Sequence, residues 1–542
     1  MRPKALLILL LIILLLTGCV LLLVLVRPKP RLASVMPPPT ALPALTVTPA
    51  PVIAPVTPDP LATPRPTATP VAPLLDGSQY TVALRPVARQ GLDPALDPAA
   101  GALLAGMTRY SLTVTLAPDL TRLTGAATIR YTNREDAPLA AVYLHLFPNL
   151  WNGGMTVSDV RVGGRSATFT LESDDDLLKA PLAEPLQPGD AVELSLRFAE
   201  PIPASGDVGN YGEFAYLDHV LALAHFYPTV VIYDPGVGWH TETPALQGDV
   251  IYHDASLYDV TLTLPATMTV AATGATLGRA ENGDGTATWY LAGGPQRDFI
   301  FVASDRFETV SEQVGDVKVN SYFLPEHAAG GKQALAWAVA ALHTCETAFG
   351  PYPYAELDVT ETGTRAGGIE YPGLVVVGGS LYDDPTRRDF FESATVHEVA
   401  HQWWYNVVGN DQVNAPWLDE ALAQYATYLY YRDAYGAEGG QGFVTAMNQR
   451  WARVKYAEKA IGLPVVAYEG AEYGALVYGR GPLFLLALRD RIGEKMMAVF
   501  LRRYYAEYAW RIATTDGFRK LAEEVSGQDL GELFGKWVYG GN

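Results

Sequence analysis

Residues 393–406 read SATVHEVAHQWWYN, and residues 415–431 read APWLDEALAQYATYLYY. His397 and His401 are four positions apart, so both imidazoles project from one face of a helix. Glu398 lies beside them, one step around the same helix. Glu420 follows 19 positions after His401, in an apolar stretch that predicts a second helix. The interpretation of the whole chain depends on these four side chains.

Two histidines and a carboxylate suit a catalytic zinc ion. Such a site uses three protein ligands, because the fourth tetrahedral position must stay open for water. The sequence therefore predicts that His397, His401 and Glu420 bind one zinc ion per chain. Two other interpretations stay open: a core helix whose histidines are hydrogen-bonded, and a zinc ion with a purely structural role. The surrounding residues are apolar, so unpaired histidines would be costly there, which favours a metal site.

Two further motifs flank this region. Residues 367–372 read GGIEYP, and residues 473–481 read YGALVYGRG. Together with HEVAHQWW and WLDEALAQY, they resemble the ordered motifs of the M1 family of zinc aminopeptidases, a branch of the gluzincins. The resemblance extends over residues 105–542 and is strongest from 350 to 485. It implies a short form of the family, without the large C-terminal helical domain that often encloses the substrate cavity.

The chemistry of peptide hydrolysis assigns roles to two of these side chains. Glu398 cannot easily reach the metal itself, but it can reach a water there, so we expect it to act as the general base. Tyr478 is the best candidate for a phenol donor to the oxyanion that develops at the peptide carbonyl. Its alternative role is that of a core tyrosine. Tyr473 and Arg480 are secondary candidates in the same segment.

Glu370 decides between cleavage at the end of a peptide and cleavage inside it. In the M1 family the corresponding carboxylate pairs with the free α-ammonium of the substrate, so the resemblance implies this role for Glu370. Gly367 and Gly368 would let a substrate strand approach the backbone closely. The residues around the acid are Ile369 and Tyr371, where the family usually has Met and Asn. The alternative is a glutamate that faces solvent at the end of a strand.

The pattern of apolar residues predicts an α+β protein with two folded domains. Residues 105 to 305 contain short alternating runs such as YSLTVTLAPDL and SLYDVTLTLP, which predict an antiparallel β sandwich or saddle. We assign residues 76–305 to this N-terminal β domain. Residues 306–542 are mainly helical, with a helix predicted at 331–349 and two strands around the GGIEYP turn. This layout resembles a thermolysin-like catalytic domain.

An aromatic segment of the β domain, residues 222–242, carries two histidines. We expect His225 and His240 to be solvated or hydrogen-bonded in the core. The alternative is that this segment forms a loop over the active site.

The N-terminus predicts attachment to a membrane. Residues 5–26 are almost entirely apolar and, as a helix, would be long enough to cross a bilayer. We therefore predict a transmembrane anchor at 1–27; the alternative is a lipoprotein, because LTGC at 16–19 resembles a bacterial lipobox that would be lipidated on Cys19. Residues 28–75 are rich in Pro and Thr and predict a disordered, extended linker.

Composition excludes some classes of protein. The formal net charge of −19 disfavours nucleic acid as a partner. The chain has two cysteines, Cys19 and Cys345, and the first lies in the predicted anchor, so no structural disulfide is expected. The sequence thus predicts a membrane-tethered, extracytoplasmic zinc aminopeptidase that acts on peptides with a free N-terminus. The alternatives are a zinc endopeptidase or related hydrolase on the same scaffold, and a non-catalytic binding module that contains zinc.

Overall fold

The computed structural model describes residues 78–92, 98–151, 153–204 and 210–540. The predicted anchor at 1–27, with Cys19, and the predicted linker at 28–75 lie outside these ranges. Within them, no helix is both long enough and apolar enough to cross a membrane.

The N-terminal part is built mainly from β-strands. Its short helices are α1 (Pro86–Gly91), α2 (Pro98–Gly106) and α3 (Phe147–Leu150). Its strands are β1 (Arg109–Leu116), β2 (Arg122–Thr132), β3 (Leu139–His145), β4 (Thr156–Val162), β5 (Arg165–Ser166), β6 (Thr170–Glu172), β7 (Leu177–Leu186), β8 (Ala191–Pro201), β9 (Phe214–Leu217), β10 (Val220–Leu223), β11 (Thr229–Val230), β12 (Tyr233–Asp234), β13 (Gly238–Trp239), β14 (Ser256–Pro265), β15 (Thr269–Ala272), β16 (Ala275–Glu281), β17 (Thr286–Gln296) and β18 (Phe301–Ser304).

Three sheets share one apolar core in this part. An eight-stranded sheet has the order β16-β17-β14-β1-β2-β8-β4-β5, and two four-stranded sheets have the orders β15-β18-β10-β9 and β11-β3-β7-β6. In β1 the buried side chains alternate with more exposed ones, as the period of a strand requires. Leu112, Leu144 and Leu223, one from each sheet, belong to the same core. The predicted layering of sheets is therefore present.

One part of the strand prediction was wrong. The eight-stranded sheet is mixed rather than wholly antiparallel, because β1 pairs with β14 in parallel, from Arg109 opposite Leu257 to Thr115 opposite Thr263. A parallel pair needs a long crossover connection. Here 139 residues separate β1 from β14, and they contain most of the other strands, so no local pattern indicates this pairing.

The second part combines a five-stranded sheet with helices. Its strands are β19 (Glu308–Val314), β20 (Val317–Phe323), β21 (Glu356–Thr362), β22 (Gly368–Ile369) and β23 (Leu374–Gly378), followed by the short pair β24 (Val408–Gly409) and β25 (Arg511–Ile512). The helices are α4 (Ala328–Phe349), α5 (Arg388–Ala400), α6 (Trp417–Ala452), α7 (Glu472–Ala475), α8 (Gly481–Ile492), α9 (Glu494–Glu507), α10 (Thr515–Ser526) and α11 (Gly531–Phe534). The helix predicted at 331–349 is confirmed as α4.

The five-stranded sheet, in the order β19-β20-β21-β23-β22, is covered on both faces. Val375 and Val377 of β23 belong to the core formed with the helices. Leu374 and Val376, which point the other way, belong to a core shared with β10 and β18 of the N-terminal part. This double burial explains why β23 reads as an unbroken apolar run. The sheet therefore connects the two parts, while the domain boundary at 305/306 stays a prediction.

Arg297 provides a second connection between the two parts. The residue is 1% exposed, and its guanidinium donates to the carbonyl oxygens of Tyr405 (2.6 Å), His253 (2.8 Å) and Arg511 (2.7 Å). Gly409 is required beside it, because an added Cβ would lie 2.0 Å from the Arg297 Cζ. Carbonyl oxygens thus replace the water that the buried cation has lost. This contact immobilises the loop that follows α5.

Candidate metal centre and substrate cleft

Helix α5 presents its two histidines to the interior of the protein. His401 lies at the C-terminal end of the helix and is fully buried. Its Nδ1 lies 2.8 Å from the carbonyl oxygen of Trp404. A carbonyl can only accept, so Nδ1 carries a proton, and Nε2 is the nitrogen left to face another partner. His397, one helical turn earlier, turns its Nε2 to the same point.

Glu420 reaches this point from the first turn of α6. Its Oε2 lies 3.1 Å from the His397 Nε2 and 3.5 Å from the His401 Nε2, and the two nitrogens are 3.2 Å apart. Ligands placed about 2.0–2.1 Å from a tetrahedral zinc ion are separated by about 3.3 Å. The three predicted ligands are therefore arranged as one face of a tetrahedron and fit a zinc ion.

The charges around these ligands favour a cation as well. The pKa of His401 is raised well above its ordinary value; burial alone would lower it, but the negative charges of Glu370, Glu420 and Asp419 outweigh burial. The pKa of Glu398 is also raised well above its usual range, by burial first and then by the charges of Glu370 and Glu420. The site is thus buried and holds a surplus of acids, which a divalent cation would neutralise.

Glu398 lies beside the metal ligands without joining them. It is 5% exposed, and one of its carboxylate oxygens lies within 4.8 Å of a Glu370 oxygen and a His401 nitrogen. Gly368 of β22 lies directly against it, since a Cβ added there would be 2.5 Å from the Glu398 Cγ. The absence of a side chain at Gly368 therefore allows β22 to pack closely against the Glu398 side chain.

Glu370 lies in the turn after β22 and is held by a chain of amides. Gln412 donates through Nε2 to the Glu370 Oε1 (3.0 Å) and to the Asp419 Oδ2 (2.6 Å), and Asn410 donates to the Asp419 Oδ1 (2.9 Å). Burial raises the pKa of Glu370. The alternative of a glutamate that faces solvent is wrong, because Glu370 is 6% exposed and lines the cleft.

Gln402, immediately after the second histidine, holds the same turn. Its Oε1 accepts from the backbone N–H of Gly373 (2.8 Å), and its Nε2 donates to the carbonyl oxygen of Tyr371 (3.0 Å). The turn that carries Glu370 is thus tied directly to the segment that carries the metal ligands. The sequence reasoning missed both Gln402 and Gln412. The position of Gln402 next to His401 was the available signal.

The tyrosine segment reaches the cleft from the opposite side. Tyr478 lies in a turn of π-helix, Leu476–Arg480, and its hydroxyl donates to the Glu420 Oε1. The ring of Tyr473 packs edge-on against that of Tyr478, with centroids 5.7 Å apart, and also lines the cleft. Arg480 does not reach it: its guanidinium donates to the carbonyl oxygens of Lys459, Lys536 and Trp537. Arg480 therefore has a structural role.

The cleft has a volume of about 330 Å³ and lies between the two parts of the protein. His225 lines it from the N-terminal part, with a left-handed φ of 55°, and its Nε2 lies 2.7 Å from the Asp298 Oδ2. His225 is thus both paired in the core and part of the cleft wall, so both interpretations of its segment hold in part. His240 lies outside the lining, where Asp234 (2.8 Å) and Glu242 (3.1 Å) raise its pKa to about 10.

Comparisons with known proteins agree with this arrangement. Residues 334–537 match the model of the Peptidase family M1 domain. The chain is similar to Aminopeptidase M1-C of Oryza sativa subsp. japonica, with 26% identity over 235 residues, 41% of this chain and 26% of that protein. It is also similar to Aminopeptidase M1 of Arabidopsis thaliana, with 24% identity over 245 residues, 43% of this chain and 28% of that protein. The chain spans about a quarter of the length of these relatives.

Solved structures share the fold over a larger region. An M1 zinc metallopeptidase mutant from Deinococcus radiodurans superposes with a TM-score of 0.58 at 22% identity, covering 80% of this chain and 94% of that chain. The same mutant bound to a Tyr-Ser-Ala substrate gives 0.57 at 21% identity, covering 80% and 93%. These matches confirm the resemblance to the M1 family that the four sequence motifs indicated.

Proposed function

We propose that this chain, whose residues 334–537 form a peptidase family M1 domain, is a zinc-dependent aminopeptidase that hydrolyses the N-terminal peptide bond of peptides. The observation that carries the proposal is the spacing of 3.1, 3.2 and 3.5 Å among the ligand atoms of His397, His401 and Glu420, with Glu398 beside them. The buried Glu370 in the same cleft supports cleavage at the end of a peptide.

Each of these residues of the cleft has a separate role in hydrolysis. His397, His401 and Glu420 would hold a zinc ion, which would supply Lewis-acid chemistry for the scissile carbonyl and the attacking water. Glu398 accepts a proton from this water at a carboxylate oxygen and then passes it to the leaving amine. The Tyr478 hydroxyl donates to the carbonyl oxygen as negative charge develops there. To do so it must leave the Glu420 Oε1, its acceptor in the structure.

The edge of the five-stranded sheet can align the substrate. β22 is the edge strand, and it ends directly before Glu370. An extended peptide can add to such an edge through main-chain hydrogen bonds. Because Gly367 and Gly368 have no side chains, the peptide can approach the backbone of this edge strand closely. The α-ammonium of the peptide then meets Glu370, which fixes the first peptide bond at the metal centre.

The proposed role of Glu370 predicts that the Glu370→Gln variant discriminates less between peptides with a free N-terminus and peptides with a blocked one. A charge-assisted hydrogen bond contributes about 1.5–3 kcal/mol, so kcat/KM for a peptide with a free N-terminus should fall about 10- to 100-fold. The glutamine can still accept from Gln412, so the turn should keep its position. Steady-state kinetics on a peptide and on its N-acetylated form provide the measurement.

The N-acetylated peptide serves as the control in this experiment. The wild-type protein should cleave it much more slowly than the free peptide, and the variant should show a much smaller ratio between the two. Equal cleavage of both peptides by the wild-type protein would remove Glu370 from this role. It would favour the alternative of a zinc endopeptidase or related hydrolase. A non-catalytic zinc-binding module is distinguished by the absence of turnover on every peptide.

We also propose that the N-terminal segment tethers the enzyme to the outer face of the cytoplasmic membrane. The apolar run at 5–26 and the Pro-rich stretch at 28–75 support this location. In cell fractionation, the chain should sediment with membranes and be accessible to protease from outside the cytoplasm. Mass spectrometry should find either an intact Met1 end or a lipidated Cys19. A soluble chain cleaved at another position would contradict the proposal.

A further inference from the structure

Arg450 is the one lysine or arginine among the residues that line the cleft. The other charged groups of the lining include four acids, Asp249, Glu370, Glu398 and Glu420. Arg450 is half-buried, and within the described ranges no carboxylate lies at ion-pair distance from its guanidinium. A guanidinium stays charged under all ordinary conditions and binds carboxylates through its fork of N–H groups. A partly desolvated arginine without such a partner suggests that a ligand supplies one.

The fold places this guanidinium close to the metal centre. Arg450 lies in the last turn of α6, beyond a break at Gly436, where φ is +68°. Gly479 lets the π-helical turn lie directly against it, because a Cβ there would be 2.9 Å from the Trp451 backbone nitrogen and 3.0 Å from the Arg450 Cβ. The Arg450 Cζ consequently lies 5.8 Å from the centroid of the Tyr478 ring.

The Tyr478 ring lies close both to Arg450 and to the metal ligands. The centroid of that ring is 5.8 Å from the centroid of the His397 ring. A carboxylate oxygen of Glu370 lies within 4.8 Å of a His401 nitrogen, whereas Arg450 contacts the ring of Tyr478, which lies beside His397. Arg450 and Glu370 therefore approach the ligand set next to different histidines.

We propose that Arg450 binds the C-terminal carboxylate of short peptides, so that the preferred substrates are di- and tripeptides with both ends free. This inference rests on the proposed function, because it takes Glu370 as the site of the α-ammonium. An extended peptide advances about 3.5 Å per residue, so one or two residues beyond the scissile bond span the distance past the Tyr478 ring. The two charged ends of the peptide then meet opposite charges within the same cleft.

A different role for Arg450 makes a different prediction. If the guanidinium only stacks on Tyr478 and holds the ring in place, its loss slows the hydrolysis of every substrate by the same factor. If it binds a carboxylate, its loss affects only substrates that end in a carboxylate, and it acts mainly on KM. A pair of peptides that differ only at the C-terminus separates the two roles.

The test compares trialanine with trialanine amide on the zinc-loaded, full-length protein. The wild-type protein should prefer the free acid about tenfold or more in kcat/KM, through KM. Arg450→Met should remove this preference and leave hydrolysis of the amide close to wild type, and Arg450→Lys should restore part of it. Arg453→Met, which removes the same charge outside the cleft lining, is the control and should keep the preference.

Two results would overturn the inference. A wild-type protein that cleaves acid and amide equally has no carboxylate site, and an Arg450→Met variant that loses activity on both equally has lost the support of Tyr478. Calorimetric binding of the two peptides to the zinc-loaded Glu398→Gln protein gives a readout without turnover. If the wild-type protein cleaves neither peptide, the proposed function fails, and the ratio of the two dissociation constants still decides for or against Arg450.

Discussion

A Glu398→Gln variant is expected to bind zinc and peptide as the wild-type protein does, but to hydrolyse peptides about 10²- to 10⁴-fold more slowly. Glutamine has nearly the shape of glutamate, so it fits against Gly368, where the backbone leaves no space for a different side chain. It cannot accept a proton from water. The loss should therefore appear in kcat and hardly in KM.

The measurement combines turnover on a tripeptide with the zinc content of the purified variant. A matched control lies two turns earlier on the same helix: Glu392 is equally buried, but it accepts from the hydroxyls of Tyr430 (2.7 Å) and Tyr435 (2.6 Å), away from the cleft. Glu392→Gln should keep near-normal turnover. A Glu398→Gln variant that retains more than about a tenth of wild-type turnover would exclude general-base catalysis by this residue.

Removing one metal ligand should have a still larger effect. His397→Ala leaves two ligands, and we expect the variant to lose zinc at ordinary concentrations and to fall to the activity of the chelated wild-type protein. Among the described residues the His397 Nδ1 has no hydrogen-bond partner, so this substitution removes little besides the ligand. His401 is less suitable, because its Nδ1 also holds the Trp404 carbonyl.

Thermal unfolding supplies a readout that does not depend on activity. A ligand that binds only the folded state, present at about 1,000 times its Kd, stabilises it by about 4 kcal/mol. Zinc should thus raise the Tm of the chelated wild-type protein and leave the Tm of His397→Ala nearly unchanged. Activity should return with added zinc in the wild-type protein alone. A variant that keeps one zinc ion per chain would show that these residues are not the ligands.

The convergence of His397, His401 and Glu420 could be predicted because their geometry is encoded locally. Two histidines four positions apart on a helix must share a face, and the acid-bearing helix follows closely in the chain. The strands with clear alternation, such as β1 and β14, were predicted for the same reason. What they pair with was not, since the parallel contact between β1 and β14 depends on the whole intervening segment.

Contacts between distant segments were the part that sequence reasoning missed. Gln412 has a role only because the loop after α5 returns to Glu370, and Arg450 enters the cleft only because Gly479 lets two helical segments touch. Arg480 was a reasonable candidate by its position in the tyrosine motif, yet neighbouring carbonyl groups hold it away from the cleft. Long-range packing decides such cases, and no single-sequence pattern records it.

Arg297 has a consequence for how this protein can be divided. A fragment that begins at residue 306 would keep every metal ligand, yet it would lack the cation that gathers the Tyr405 and Arg511 carbonyls behind the ligand helix. Those carbonyls would lose their shared donor, and the loop after the ligand helix would lose this contact. The β domain therefore cannot be exchanged without affecting the metal centre. The segment behind the ligand helix is held in place by Arg297, a residue that does not line the cleft.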